Sequence, residues 1–171
     1  SDASVLLRSV DTSVLLTANA LLSSAAAIVM FVALRTRKTY PGFGFWTAGV
    51  ACLALGAALL VPGALPSTWA VRVGRNAVLV SGYALILRGL IVFRGERVGW
   101  WLEALLATAF LALFGWFSID PADLGARIVI YSVFAGSLSA ATAFLALRRR
   151  PQHFGSSDVV LALWLSAYAL L

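Results

Sequence analysis

The stretch NAVLVSGYALILRGLIVF, residues 76–93, decides what kind of protein this is. Arg88 is the only residue in this stretch with a charged side chain, and its neighbours in the sequence are mostly apolar. A run of about 20 apolar residues crosses the hydrocarbon core of a bilayer as a helix, which satisfies its own backbone hydrogen bonds there. We therefore interpret this stretch as a transmembrane helix and look for others on either side of it.

The composition supports the same interpretation. Of the 171 residues, 61% are hydrophobic and 12% are charged, whereas soluble domains have about 45–50% and about 25%. The net charge is +6, but the cations lie in short clusters between apolar runs, so nucleic acid is not an expected partner. A single Cys and a single His exclude a disulfide framework, a thiolate metal cage and bis-histidine haem.

Six apolar runs are separated by polar, Pro or Gly breaks. They cover about residues 14–34, 43–61, 76–93, 99–117, 127–147 and 157–171. The sequence therefore predicts an all-α fold, a polytopic transmembrane helical bundle that forms one domain over residues 1–171. The sixth run provides about 22 Å of helix against a core of about 30 Å, so we expect it to be incomplete. We expect seven spans in the natural protein, with a cytoplasmic output domain after residue 171.

Lys and Arg are distributed unevenly among the connections. The segments RTRK (residues 35–38), FRGER (93–97) and RRR (148–150) together hold eight of them. The N-terminus and the two other connections hold four Arg and most of the Asp. Connections rich in Lys and Arg stay in the cytoplasm, which predicts that these three are cytoplasmic and that the N-terminus lies outside.

Several polar side chains form a candidate ligand site at the outer end of the third span. The candidate ligand-binding residues are Trp69, Arg72, Arg75, Asn76, Tyr83 and Arg127. The arginine fork suits carboxylate and phosphate groups, and a helix N-terminus adds partial positive charge. This pattern predicts a site for a small anionic ligand, with Tyr83 as its floor. The alternative is that Arg127 only pairs with Asp120 or Asp123.

Arg88 and Glu103 are the two ionisable side chains placed deepest within the predicted spans. Both lie roughly 6–8 Å inside the predicted cytoplasmic boundary, on neighbouring helices. We predict a structural or signalling ion pair between them. The alternative is that Arg88 extends to the lipid headgroups and that Glu103 faces water.

Small residues at a spacing of four mark where two helices can approach closely. The two series are Ala48, Cys52 and Gly56 in the second span, and Ser132, Gly136 and Ala140 in the fifth. They predict helix packing, either within one bundle or at a dimer interface. The sequence carries none of the GxxxxGK[ST], HExxH, CxxC, GxSxG or GxGxxG motifs. No catalytic residue, metal site or cofactor is expected in this chain.

Three segments resemble the N-terminal membrane regions of bacterial GGDEF-type diguanylate cyclases. They are YPGFGFWTAGVACLALGAALL, LPSTWAVRVGRNAVLVSGYALILRGLIVFRGER and IDPADLGARIVIYSVFAGSLSAATAFLALRRR. The more specific elements are the aromatic-Pro-Gly start of the second span, Arg75 and Asn76 at the start of the third, the Arg88-Gly89 exit, and Arg127 in Leu-Gly-Ala-Arg. The resemblance covers about residues 35–171.

The resemblance implies a multi-pass protein of the bacterial cytoplasmic membrane. In that family the helical bundle precedes a cytoplasmic GGDEF domain, which makes cyclic di-GMP from two GTP, usually as a homodimer. This chain contains no GGDEF sequence, so that activity would belong to a part outside it.

The leading hypothesis is a sensory input module, which perceives a small ligand or a membrane signal and regulates a fused diguanylate cyclase. The first alternative is a small-molecule transporter or channel subunit. The centres of the predicted spans are apolar. This argues against a transporter or channel, because a carrier places polar residues near the bilayer midplane. The second alternative is a passive anchor that only dimerises its partner domain.

Overall fold

The computed structural model describes residues 2–61, 63, 65–66, 68–96, 99–120 and 122–148, with side chains from residue 14 to residue 146. This part of the chain is all-helical, and it contains no strand. The helices are α1 (Asp2–Thr36), α2 (Phe43–Leu60), α3 (Trp69–Phe93), α4 (Trp101–Trp116) and α5 (Leu124–Arg148). The predicted all-α class is confirmed.

Four of these helices are long and apolar enough to cross a membrane. The spanning segments are Val14–Thr36, Phe43–Leu60, Trp69–Phe93 and Leu124–Ala146. Helix α4 has 16 residues, about 24 Å at 1.5 Å per residue, and is shorter than the other four. The predicted span at residues 157–171 lies outside the described residues, so the prediction of six or seven spans stays a prediction.

The start of α3 corrects the predicted boundary at Asn76. The helix begins at Trp69, because Thr68 has an extended backbone and its hydroxyl accepts a hydrogen bond from the Val71 N–H at 3.3 Å. This is an N-cap. Arg72 and Arg75 therefore lie inside the helix and not before it, because arginine is a good helix former and its long side chain reaches polar surroundings from within a helix.

Helix α3 lies at the centre of the bundle and packs against α2, α4 and α5. Its Val73, Val80 and Leu87, at a spacing of seven, face a core that contains Phe110 and Phe114. Leu79 and Ile86, which lie about 100° around the helix from this series, pack against Leu53 of α2. Helix α1 packs against α2 and against no other described helix.

Helices α2 and α3 approach each other at glycines. A Cβ atom added to Gly49 would lie 2.8 Å from the carbonyl oxygen of Gly82, and one added to Gly82 would lie 2.9 Å from the carbonyl oxygen of Gly49. Seven residues before Gly49, Gly42 has a φ of 90° and faces the backbone of Gly89. Only glycine permits such close contact between two helix backbones.

The glycine contact corrects the predicted packing series of α2. Gly56 lies in the interface against Leu79, but Ala48 is exposed and Cys52 is only half-buried. A step of four residues drifts by about 40° around a helix, whereas a step of seven drifts by about 20°. The interface therefore follows the seven-residue series through Gly49 and leaves Ala48 outside it.

The predicted series of α5 does not pack within the described bundle. Ser132 and Ala140 are exposed, and a Cβ atom on Gly136 would meet no atom within 4 Å. The residues of α5 that face the core are others, such as Ala135 and Leu138. A contact between the Ser132 series and a second copy of the chain stays a prediction.

The helices alternate in direction and give the bundle two distinct ends. At one end, here called the basic end, the Tyr40 and Phe93 rings lie 5.9 Å apart, and Arg94 Nη1 donates to the carbonyl of Leu145. At the opposite end, Trp69 Nε1 donates to the carbonyl of Gly115 at 3.0 Å. The α1–α2 and α3–α4 connections and the end of α5 therefore lie together at the basic end.

Candidate functional site

A cavity of about 170 Å³ lies at the opposite end of the bundle, mainly between α3 and α5. We call it the arginine cavity. Its polar lining residues are Arg72, Arg75, Asn76, Arg127 and Tyr131. Four of the six residues predicted for the ligand site are thus brought together around one space.

Helix geometry explains how these side chains meet. Arg72, Arg75 and Asn76 are three and four residues apart, so they share one face of the first turns of α3. Arg127 lies in the first turn of α5, which packs against α3. Tyr131 follows Arg127 by one turn on the same face, a spacing that could have identified it from the sequence.

Three of the polar residues are anchored to main-chain oxygens. Arg72 Nη2 donates to the carbonyl of Ser118 at 3.0 Å, and Asn76 Nδ2 donates to the carbonyl of Arg72 at 2.8 Å. Arg127 is 9% exposed, and its Nε donates to the carbonyl of Asp123 at 3.4 Å. These bonds fix the positions of the two guanidinium groups and of the amide at the edge of the cavity.

Arg75 differs from its neighbours. Its Nε is buried, and among the described residues Arg75 has neither a hydrogen-bond acceptor nor a carboxylate partner. Burial partly desolvates its guanidinium, and the like charges of Arg72 and Arg127 lie close to it. An anion bound beside a partly desolvated cation relieves both costs. The arginine cavity therefore has the electrostatics of an anion site.

Two predicted members of this site lie elsewhere. Trp69 is 49% exposed. Its indole N–H donates to the carbonyl of Gly115 and so links the start of α3 to the end of α4. Tyr83 lies seven residues beyond Asn76, about 10 Å along the helix axis, and lines a different cavity. The prediction that Tyr83 forms the floor of the anion site is wrong, because Tyr83 is not among the residues that line the arginine cavity.

Arg88 and Glu103 meet near the basic end. Arg88 Nη1 lies 3.2 Å from Glu103 Oε1, with side-chain exposures of 12% and 13%. The Arg88 guanidinium carbon also lies 4.3 Å from the centre of the Trp100 ring, within the range of a cation–π contact. The ion pair expected from the sequence is present between α3 and α4, and its role in signalling stays a prediction.

The described fold and site together define an all-helical bundle, suited by length and composition to a membrane, with an arginine-lined cavity at one end. Within the described residues, no three His, Cys, Asp or Glu side chains are gathered as metal ligands would be. No family model, curated protein or solved structure matches this chain.

Proposed function

We propose that this chain is a membrane sensory module that binds a small carboxylate or phosphate compound in the arginine cavity and regulates a diguanylate cyclase domain. The observation that carries the proposal is Arg75, a half-buried guanidinium with no anion or hydrogen-bond acceptor in the described chain. Arginine binds carboxylate and phosphate in a bidentate geometry. The ligand would supply the missing negative charge.

The proposed orientation follows from the charge of the loops. The basic end would face the cytoplasm of a bacterial cell, and the N-terminus and the arginine cavity would face outward. A solute outside the cell would then reach Arg75 without crossing the hydrocarbon core. The cyclase and homodimer parts of the proposal rest on the resemblance to GGDEF-type proteins.

The proposed signal passes along α3 and α5, because both helices contribute cations to the cavity. An anion that draws Arg75 and Arg127 together changes the relative position of the two helices, provided that it binds one arrangement more tightly than the other. At the basic end the same helices are joined by the hydrogen bond from Arg94 to Leu145. That contact would carry the displacement towards the end of α5.

Replacing Arg75 by Gln tests the anion site. In anion-free buffer we expect Arg75→Gln to melt at the same or a higher temperature, because the substitution removes a cation held beside like charges. With succinate or glycerol phosphate as probes, we expect the wild-type chain to gain thermal stability. We expect the variant to bind about 10–100-fold more weakly, the loss of about 1.5–3 kcal/mol of charged hydrogen bonding. Calorimetry and tryptophan fluorescence in mild detergent measure both quantities.

Arg35→Gln is the matched control, since Arg35 is an exposed arginine at the basic end. It should leave anion binding unchanged. If neither probe stabilises the wild-type chain, or if both variants weaken binding equally, the anion site is refuted. A passive anchor would then be the better interpretation.

The proposed homodimer is tested by cysteine cross-linking. In a Cys52→Ala background, we expect Ser132→Cys to form a disulfide-linked dimer in membranes under mild oxidation, because small residues allow close helix approach. Ala48→Cys is the control, as Ala48 is also a small exposed residue but lies on α2. Equal yields of dimer from the two variants would argue against a specific contact along α5.

A further inference from the structure

A second cavity, of about 300 Å³, lies in the middle of the bundle and is separate from the arginine cavity. We call it the mid-bundle cavity. Its polar lining residues are Asn19 and Ser23 of α1, Tyr83 of α3, and Ser139 and Thr142 of α5. The other lining residues are apolar, and none of the lining residues is charged. This is the usual make-up of a small-molecule site, an apolar cavity with a few placed polar groups.

The position of Tyr83 along α3 shows how deep the mid-bundle cavity lies in the bundle. Tyr83 lies in the middle of α3, about 15–21 Å from either helix end at 1.5 Å per residue. It is therefore level with the hydrocarbon core if α3 spans the membrane. Polar groups at that depth ordinarily bond to another helix or to the backbone.

Two of the lining hydroxyls lack the usual backbone bond. Thr142 donates to the carbonyl of Leu138 at 2.8 Å, as a helical hydroxyl commonly does. In the described part of the chain, the hydroxyls of Ser23 and Ser139 make no such bond. Each therefore has a free donor at the wall of the cavity, one on α1 and one on α5.

The cavity lies between two helices that do not contact each other. Among the described helices α1 packs only against α2, and α5 packs against α3 and α4. Within the described residues, no contact between α1 and α5 closes the space beside the cavity. A ligand that enters this way comes from the hydrocarbon phase, which favours an uncharged, lipid-soluble molecule.

We propose that the mid-bundle cavity binds a neutral, lipid-soluble molecule that carries a hydrogen-bond-accepting oxygen, such as a ketone or an ester on a hydrocarbon body. Its oxygen accepts hydrogen bonds from Ser23 and Ser139, and its hydrocarbon part packs against Leu53 and Ile86. The bound molecule joins α1 to α5. This site is independent of the anion site, and neither proposal needs the other.

Photolabelling of the full chain in nanodiscs tests this site. The probe is a methyl nonyl ketone analogue that carries a diazirine on its alkyl chain, with methyl nonyl ketone and undecane as competitors. We expect the label on residues 19–26 and 139–142. We also expect the ketone to displace it at least about tenfold better than the alkane, because only the ketone accepts hydrogen bonds.

Paired leucine substitutions separate the cavity from general lipid contact. Ser139→Leu fills the cavity, and we expect it to lower labelling at least about tenfold. Ser137→Leu makes the same change on the exposed face of α5, outside the Ser132 series, and should leave labelling unchanged. Ser139→Ala should keep the label but lose the preference for ketone over alkane. Circular dichroism checks that each variant is folded.

Three results would overturn the proposal. They are equal labelling of Ser139→Leu and Ser137→Leu, equal displacement by ketone and undecane, and a label confined to other segments. The last result includes a cavity filled by another part of the chain. Because the probe carries no charge, none of these results bears on anion binding at Arg75.

Discussion

Leucine in place of Gly82 should destabilise the bundle by about 3 kcal/mol, because it inserts a side chain where two helix backbones touch. A Cβ atom added to Gly82 would lie 2.9 Å from the carbonyl oxygen of Gly49 and equally close to the Leu53 side chain. A backbone carbonyl cannot move aside as a flexible side chain can. Helices α2 and α3 must therefore separate, and the loss should appear as a lower melting temperature by tryptophan fluorescence in mild detergent.

Gly74 offers a matched control on the same helix. A Cβ atom at Gly74 meets no atom within 4 Å, so Gly74→Leu should be neutral or stabilising by up to about 1 kcal/mol, since glycine is a poor residue within helices. Equal melting temperatures for Gly82→Leu and Gly74→Leu would mean that the two helices do not make this contact.

Replacement of Glu103 by Leu should destabilise the bundle by about 3 kcal/mol, because it leaves the Arg88 cation without its carboxylate at a largely buried position. The two side chains are 12% and 13% exposed, so water can replace little of the lost interaction with the carboxylate. Glu103 also lies in the first turn of α4, where a negative charge favours the helix. Unfolding monitored by circular dichroism in mild detergent measures the change.

The pair between Arg94 and Glu96 is the control for this prediction. Its atoms are 3.1 Å apart, but Glu96 is 44% exposed, so Glu96→Leu should cost less than about 1 kcal/mol. The double variant Arg88→Met with Glu103→Leu should regain much of the stability, since replacing a buried ion pair by apolar residues is often neutral. If Glu103→Leu and Glu96→Leu cost the same, the Arg88 pair is solvated and stabilises little.

The double variant of Arg88 and Glu103 also separates stability from signalling. In a chain joined to a GGDEF domain, we expect the double variant to fold but to respond to the anion differently from wild type, because the contact between α3 and α4 has lost its charges. Cyclic di-GMP production measures the response. An unchanged response in a stable double variant would assign the pair to folding alone.

Sequence reasoning succeeded where residues are close along one helix or are joined by a short connection. Arg72, Arg75 and Asn76 lie within five residues of one another, so the sequence placed them together although it began the helix only at Asn76. Arg88 and Glu103 lie at equal depth on consecutive helices, and the short connection between α3 and α4 holds them side by side. Proximity along the chain was sufficient in both cases.

The failures concern how each helix is rotated about its axis. The sequence did not show whether Ala48 or Gly49 faces α3, because α2 is apolar on all sides and a lipid-facing surface resembles a packed one. It also placed Tyr83 under the anion site, whereas the packing of α3 turns that residue towards α1 and α5. In water-soluble bundles the pattern of apolar residues shows which side of a helix faces the core. In helices that are apolar on all sides, it does not.

The sequence by itself determined the class of this protein: apolar runs of membrane-spanning length form helices because nothing else satisfies the backbone in a hydrocarbon environment. It also determined at which ends of the helices the lysines and arginines lie. Only the tertiary structure decided which side chains meet across helices, including Gly49 with Gly82, and Ser23 with Ser139 around one cavity. The physical reason is that hydropathy is a property of each segment alone, whereas contacts between segments depend on the shapes of both surfaces.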